Sequence, residues 1–166
     1  SRVILFGLVD GRILYDTVGE RVHPIGSYRG DVLYKTFYDF LNCLGISPCW
    51  GWMNSDPDAR NFTSMNAAKL NQVYQDIARN ATFKNFDVHY FDCPMQEVVD
   101  LWKSMGGETY DLIEPVDGFH PSQISNALTT QVMWTKYEKA NLLPPVNPWN
   151  AQIQKIFGDQ GGYIPT

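Results

Sequence analysis

Residues 3–11 read "VILFGLVDG", an unbroken apolar run closed by Asp10-Gly11. A strand with one wet face alternates polar and apolar residues, and this run does not. It reads as a strand covered on both faces, as in a parallel sheet. A second strand is read at Phe86 to Phe91, where Phe86, Val88 and Tyr90 alternate and Asp92 ends the run. Parallel neighbours require a crossover connection, and helical spacing fills the interval between the two runs. The expected class is therefore α/β, with these two strands side by side and parallel. Two strands leave open edges, so the rest of the sheet is expected from another segment. The sequence enters the first strand directly at Ser1 with no leader, and a fragment or processed chain is expected.

Working outward, Asp31 is placed as the N-cap of a helix. Its inward face would be Val32, Leu33, Phe37, Phe40, Leu41 and Leu44, with Gly45 as its stop. A second helix is expected over Ser64 to Asn80, with Ala67, Leu70, Val73, Tyr74 and Ile77 on one face. A third runs from about Pro94 to Met105 before Gly106-Gly107. A fourth spans about Ser122 to Ala140, with Ile124, Leu128, Val132 and Tyr137 inward. A last short helix covers Trp149 to Phe157. Gly11 to Gly30 reads as a long loop containing His23-Pro24, and residues 46–61 read as irregular.

The 166 residues suffice for one ordinary domain, and 44% hydrophobic content with 14% aromatics is enough for a core. A net charge of -5 with a pI near 5.0 leaves no basic stripe for phosphates, which excludes nucleic acid as an expected partner. No apolar run is long enough for a transmembrane segment. Sequons at Asn61-Phe62-Thr63 and Asn80-Ala81-Thr82, beside three cysteines, favour a secretory, oxidising compartment. Cys49 and Cys93 both fall in loops and are expected to pair. Cys43, inside a helix, would be left for an intermolecular bond, with a Cys43–Cys49 bridge as the alternative. The cysteine spacing matches no zinc pattern.

The chemistry is concentrated in residues 114–125, "EPVDGFHPSQIS". A histidine acting as general base must be held in one tautomer, and a carboxylate on its Nδ1 does that while stabilising the imidazolium. Asp117 and His120, three apart on a turn that Gly118 permits, can supply both groups. Pro121 stiffens the exit into the following helix. Equally, Asp-Gly is a common turn and an Asp–His pair is often a surface hydrogen bond. His23-Pro24, with Glu20 three residues before, is the runner-up pair. Asp10, Gly11 and Arg12 end the first strand, the edge where open α/β sheets bind ligands, and Arg12 is a candidate for an anionic substrate group. Asn54 to Asp58 carries calcium-like oxygens but lacks the glycine and distal glutamate of an EF-hand, so a turn is expected. Trp50, Trp52 and Met53 are candidates either for an acyl pocket or for packing near a disulfide. Ser122 reads as a helix-start residue.

"DGFHPS" leading into an amphipathic helix resembles the last motif block of the SGNH, or GDSL-type, hydrolase family, Asp-x-x-His-Pro followed by a helix. The resemblance implies a flavodoxin-like three-layer α/β sandwich, with residues 1–166 as the C-terminal part of a single domain. It also implies a Ser-His-Asp esterase in which Asp117 and His120 complete the triad. No Gly-Asp-Ser block and no Gly-x-Asn-Asp occurs, and none of the eight serines has a nucleophile's setting. The nucleophile and oxyanion donors are therefore expected from a preceding segment. Ser125 stands where many members carry glycine. The likeness runs from "RVILFGLVDGRILYD" through "GFHPSQISNALTTQVMWTKYEKANLLPPVNPWN" and points to a secreted and lysosomal, two-chain branch of the family. That branch removes secondary fatty acyl chains from the lipid A of bacterial lipopolysaccharide, with some action on other glycerolipids. It implies a disulfide-linked small subunit as partner, with Cys43 as the interchain thiol. It implies no cofactor on this chain, and any calcium would belong to the part of the enzyme outside it. Residues Tyr163 to Thr166 fall outside the likeness. The alternative to an esterase is a non-catalytic, secreted glycan- or lipid-binding α/β domain.

Overall fold

A computed structural model describes residues 1–158. Two strands, β1 (Arg2–Phe6) and β2 (Asp87–Phe91), pair in parallel, with Arg2 opposite Asp87 and Phe6 opposite Phe91. Helices α1 (Arg12–Val18), α2 (Tyr34–Cys43) and α3 (Pro57–Asn80) fill the crossover. After β2 come α4 (Met95–Ser104), a 3-10 turn at Thr109–Leu112 and α5 (Gln123–Lys139). The chain divides within α5 into two compact units, residues 1–133 and residues 134 onward. The second unit holds the end of α5 and α6 (Asn150–Phe157). The fold is thus mixed α/β. No helix among the described residues is long and apolar enough to cross a membrane. Residues Tyr163 to Thr166 lie outside the described residues.

Two clusters organise the first unit. One joins Leu14 and Val18 of α1, Tyr34 and Tyr38 of α2, Met53 and Ile113. The other joins Val98 and Val99 of α4 with Leu112 and Leu128. The parallel pairing of β1 and β2 agrees with the sequence reading, but coverage of β1 on both faces does not. Val3, Ile4 and Phe6 are 38%, 37% and 40% exposed. Apolar strands of this kind normally lie under helices on both faces. Among the described residues the extensive helix contact on the pair comes from α3, through β2.

Other elements depart from expectation for local reasons. The expected loop after Gly11 contains α1, whose Leu14 and Val18 sit four apart and share a buried face. Helix α3 starts at Pro57 rather than Ser64. Asp56 caps it, its side chain accepting from the Asp58 amide at 2.9 Å, and Pro57 takes the first turn, where no N–H is needed. The residues read as an irregular turn are thus a helix start. In α2, Phe37 and Leu41 do pack inward, but Phe40 and Leu44 are exposed. Tyr34 and Tyr38 are buried in their place.

All three cysteines are free thiols, so the expected Cys49–Cys93 bridge is not formed, nor is the alternative Cys43–Cys49 bridge. The thiols occupy separate environments. Cys43 is exposed at the end of α2 and Cys49 packs against the Tyr38–Met53 cluster. Cys93 follows β2 beside an apolar cavity, and burial pushes its thiol pKa up.

Candidate active site

The segment 114–120 is a closed loop held by its own backbone. The Glu114 amide donates to the His120 carbonyl at 2.8 Å, and the Gly118 amide to the Glu114 carbonyl at 2.9 Å. Ile113 and Pro121 form an antiparallel bridge at its base. Asp117 organises the interior of the turn: its Oδ1 accepts from the Phe119 amide at 2.8 Å and the His120 amide at 3.0 Å. Such side-chain turns are what Asp does well. Gly118 follows with φ +62°, a left-handed conformation that glycine adopts without penalty.

This geometry delivers the imidazole to the carboxylate. His120 Nδ1 lies 2.7 Å from Asp117 Oδ2. An ionised carboxylate only accepts, so Nδ1 carries the hydrogen and the lone pair of the neutral ring sits on Nε2. Burial pushes the Asp117 pKa up. The hydrogen bond from His120 and the amides of Phe119 and His120 outweigh it, holding the carboxyl below its ordinary range. The His120 side chain is 63% exposed and Asp117 38%, so the pair is open to solvent. Ser122 stands immediately before α5, at the helix start as read from the sequence, its Oγ accepting from the Ser125 amide at 3.2 Å and donating to the Asp111 carbonyl at 2.7 Å.

His120 also lines a cavity of about 340 Å³. Its other walls are overwhelmingly apolar, including Phe6, Val9, Trp52, Met95, Leu112 and Phe119. Gly11 admits the Trp52 ring, since a Cβ there would come within 2.2 Å of it. Of the three residues considered for an acyl pocket, Trp52 lines this cavity, Met53 is sealed in the core and Trp50 is exposed.

The runner-up pair is not assembled. His23 is 3% exposed, with Nε2 donating to the Val116 carbonyl at 2.8 Å and Nδ1 accepting from the Ile25 amide at 3.1 Å. Both ring nitrogens are used, and Glu20 is bound instead to Lys35 Nζ at 2.6 and 2.7 Å. Arg12 is also committed: its guanidinium forks onto the Asp10 carboxylate and reaches Asn61 Oδ1 at 3.2 Å. Burial raises the Asp10 pKa, but bonds from Arg12 and Ser64 hold it below the ordinary range. Asn54 and Asp56 accept backbone amides as turn and cap, and no metal-binding cluster forms among the described residues. Asn61, in the first turns of α3, and Asn80, at its end, are both exposed. The sequence reading missed Tyr34 and Tyr38. Their hydroxyls donate to the Pro115 and Gly118 carbonyls, each at 2.5 Å.

No protein-family model matches the chain. Three curated relatives do, each over 165 residues and 98% of this chain. They are the acyloxyacyl hydrolases of Mus musculus at 43% identity, Oryctolagus cuniculus at 44% and Homo sapiens at 42%. The chain spans 29% of the length of each. Across 98% of its own length, this sequence is recognised as similar to a C-terminal part of acyloxyacyl hydrolases.

Proposed function

We propose that this chain supplies the acid–base half of a serine esterase that removes secondary fatty acyl chains from bacterial lipopolysaccharide, and that it acts on other glycerolipids as well. The observation that carries the reading is the 2.7 Å Asp117–His120 contact on an imidazole that also borders an apolar cavity. A hydrolase of acyl esters needs a base beside an apolar chain. The relatives' name, acyloxyacyl hydrolase, agrees with that pairing.

In this mechanism a serine from a preceding segment attacks the ester carbonyl carbon, and His120 Nε2 takes the hydroxyl proton. Asp117 stabilises the resulting imidazolium through Nδ1. The tetrahedral adduct collapses, the bond from the carbonyl carbon to the oxygen of the primary acyl chain's hydroxyl (or of glycerol) breaks, and His120 returns its proton to that leaving alcohol. Water then attacks the acyl-enzyme by the same proton route and the fatty acid leaves. The cavity, with Trp52, Met95 and Leu112 in its wall, would hold the acyl chain.

The remaining parts of the reading belong to the whole protein. The preceding segment would complete a flavodoxin-like three-layer sandwich of the SGNH type around β1 and β2. Exposed Cys43 would carry the link to a small subunit. Asn61 or Asn80 would carry sugar, in a secreted and lysosomal enzyme. A fluorophosphonate probe on the full-length protein tests the central point. A labelled serine in the preceding segment, with labelling lost in His120→Ala, is the expected result. Absence of any labelled serine would favour the non-catalytic binding domain.

A further inference from the structure

Three ring side chains distant in sequence converge on one stretch of the 114–120 loop. Tyr34 Oη donates to the Pro115 carbonyl at 2.5 Å, His23 Nε2 to the Val116 carbonyl at 2.8 Å, and Tyr38 Oη to the Gly118 carbonyl at 2.5 Å. The Val116 carbonyl belongs to the peptide that enters Asp117, the Pro115 carbonyl to the peptide before it, and the Gly118 carbonyl to the 118–119 peptide, which carries the Phe119 amide bound by Asp117. We infer that His23, Tyr34 and Tyr38 are positioning residues for the Asp117–His120 pair, acting by fixing the 115–116, 116–117 and 118–119 peptide planes of the loop that carries Asp117. The inference rests on the reading of that pair as the acid–base half of the site.

The donors are themselves immobilised. Tyr34 and Tyr38 stand four apart on α2, so their hydroxyls leave the same helix face. His23 stacks on Phe37 with centroids 4.2 Å apart and meets Tyr34 edge-on at 4.8 Å. Its Nδ1 accepts from Ile25, which fixes the proton on Nε2 and makes that nitrogen the donor. Burial, with Tyr34 and Asp117 nearby, pushes the Tyr38 pKa far up, so its hydroxyl keeps its hydrogen. The loop fits the rings closely: a Cβ on Gly118 would lie 2.6 Å from the Tyr34 ring and 2.7 Å from Tyr38 Oη.

Buried hydroxyls and imidazoles usually find some acceptor. What separates this arrangement from ordinary satisfaction is that all three choose carbonyls within residues 115–118. Asp117 must hold two amides and the imidazole at once. A rotation of the 116–117 plane, or of the 118–119 plane that carries the Phe119 amide, would spoil the imidazole bond while leaving the core packed. Small displacements of a catalytic group lower the rate of the chemical step more than they lower binding.

The experiment uses the full-length protein with Tyr34→Phe, Tyr38→Phe, His23→Leu and His23→Gln. Each is assayed for kcat and KM on an acyl ester and for amide hydrogen exchange. Each Tyr→Phe change is expected to lower kcat about tenfold with KM little changed, the size set by one lost buried hydrogen bond, and His23→Leu, which removes two, by at least as much. The amides of Phe119 and His120 should exchange faster while those of β2 and α4 do not. His23→Gln, which retains a donor, should recover part of the kcat lost in His23→Leu. Unchanged exchange at Phe119 and His120, or acceleration spread evenly over the protein, overturns the inference whatever the activity. Selective loop exchange in a protein whose His120→Ala variant still turns over would uphold the cradle and sink the catalytic reading instead.

Discussion

The molecule holds two His-Pro pairs, and they have opposite fates. His23-Pro24 is shut inside the α1–α2 region with both ring nitrogens bonded to backbone. His120-Pro121 stands at the surface, with Nδ1 on a carboxylate and its side chain 63% exposed. What separates them is the residue three positions earlier. Glu20 is drawn to Lys35 and leaves His23 without a carboxylate. Asp117 is short enough to fold back and collect two amides and the imidazole of His120. The same dipeptide therefore serves as a structural tie in one place and as a candidate base in the other.

The comparison is most severely tested by Asp117→Asn. An amide there would present an N–H to Nδ1 and favour the wrong tautomer. Ester turnover by the full-length protein should fall by about 10³–10⁴-fold, with most of the fold retained. A loss of tenfold or less, measured as initial rate, would reduce the carboxylate to a turn former. Next in size is His23→Ala. It strips partners from the Val116 carbonyl and the Ile25 amide and empties a stacked aromatic site, so it should cost about 1–3 kcal/mol of stability in denaturant melts. A stability equal to wild type would mean that the buried histidine is not the tie described here. Smallest is Glu20→Gln, which touches neither imidazole. It breaks an exposed pair with Lys35, and such pairs contribute about 0–1 kcal/mol. Turnover should match wild type, and a large kinetic defect would restore Glu20 as an orienting group.

Much of the candidate site was legible because its interactions are local. Asp117, Gly118 and His120 lie within four residues, so the turn, the left-handed glycine and the imidazole contact follow from side-chain chemistry alone. The parallel strands were legible for a related reason: an unbroken apolar run and a short alternating one need no distant information. The cradle was not legible. Its donors lie 93, 81 and 80 positions from their acceptors, and no periodicity records such a contact. Helix α1 was hidden because it is only seven residues long with two buried positions between glycines. The start of α3 was hidden because Asp56-Pro57 signals a turn and a helix cap equally well. Covered faces for β1 followed from the sequence, but these residues leave them part-exposed. In the proposed reading they pack against the preceding segment.

The central claim is that Asp117 and His120 act as one catalytic unit on an acyl ester. The direct measurement is fatty-acid release from lipopolysaccharide by the full-length protein with and without His120→Ala, with the melting temperature recorded for both. The account predicts a loss of about 10⁴-fold or more in turnover and a nearly unchanged melting temperature, since the imidazole is exposed and packs little core. Turnover within about tenfold of wild type in a folded His120→Ala protein would contradict it.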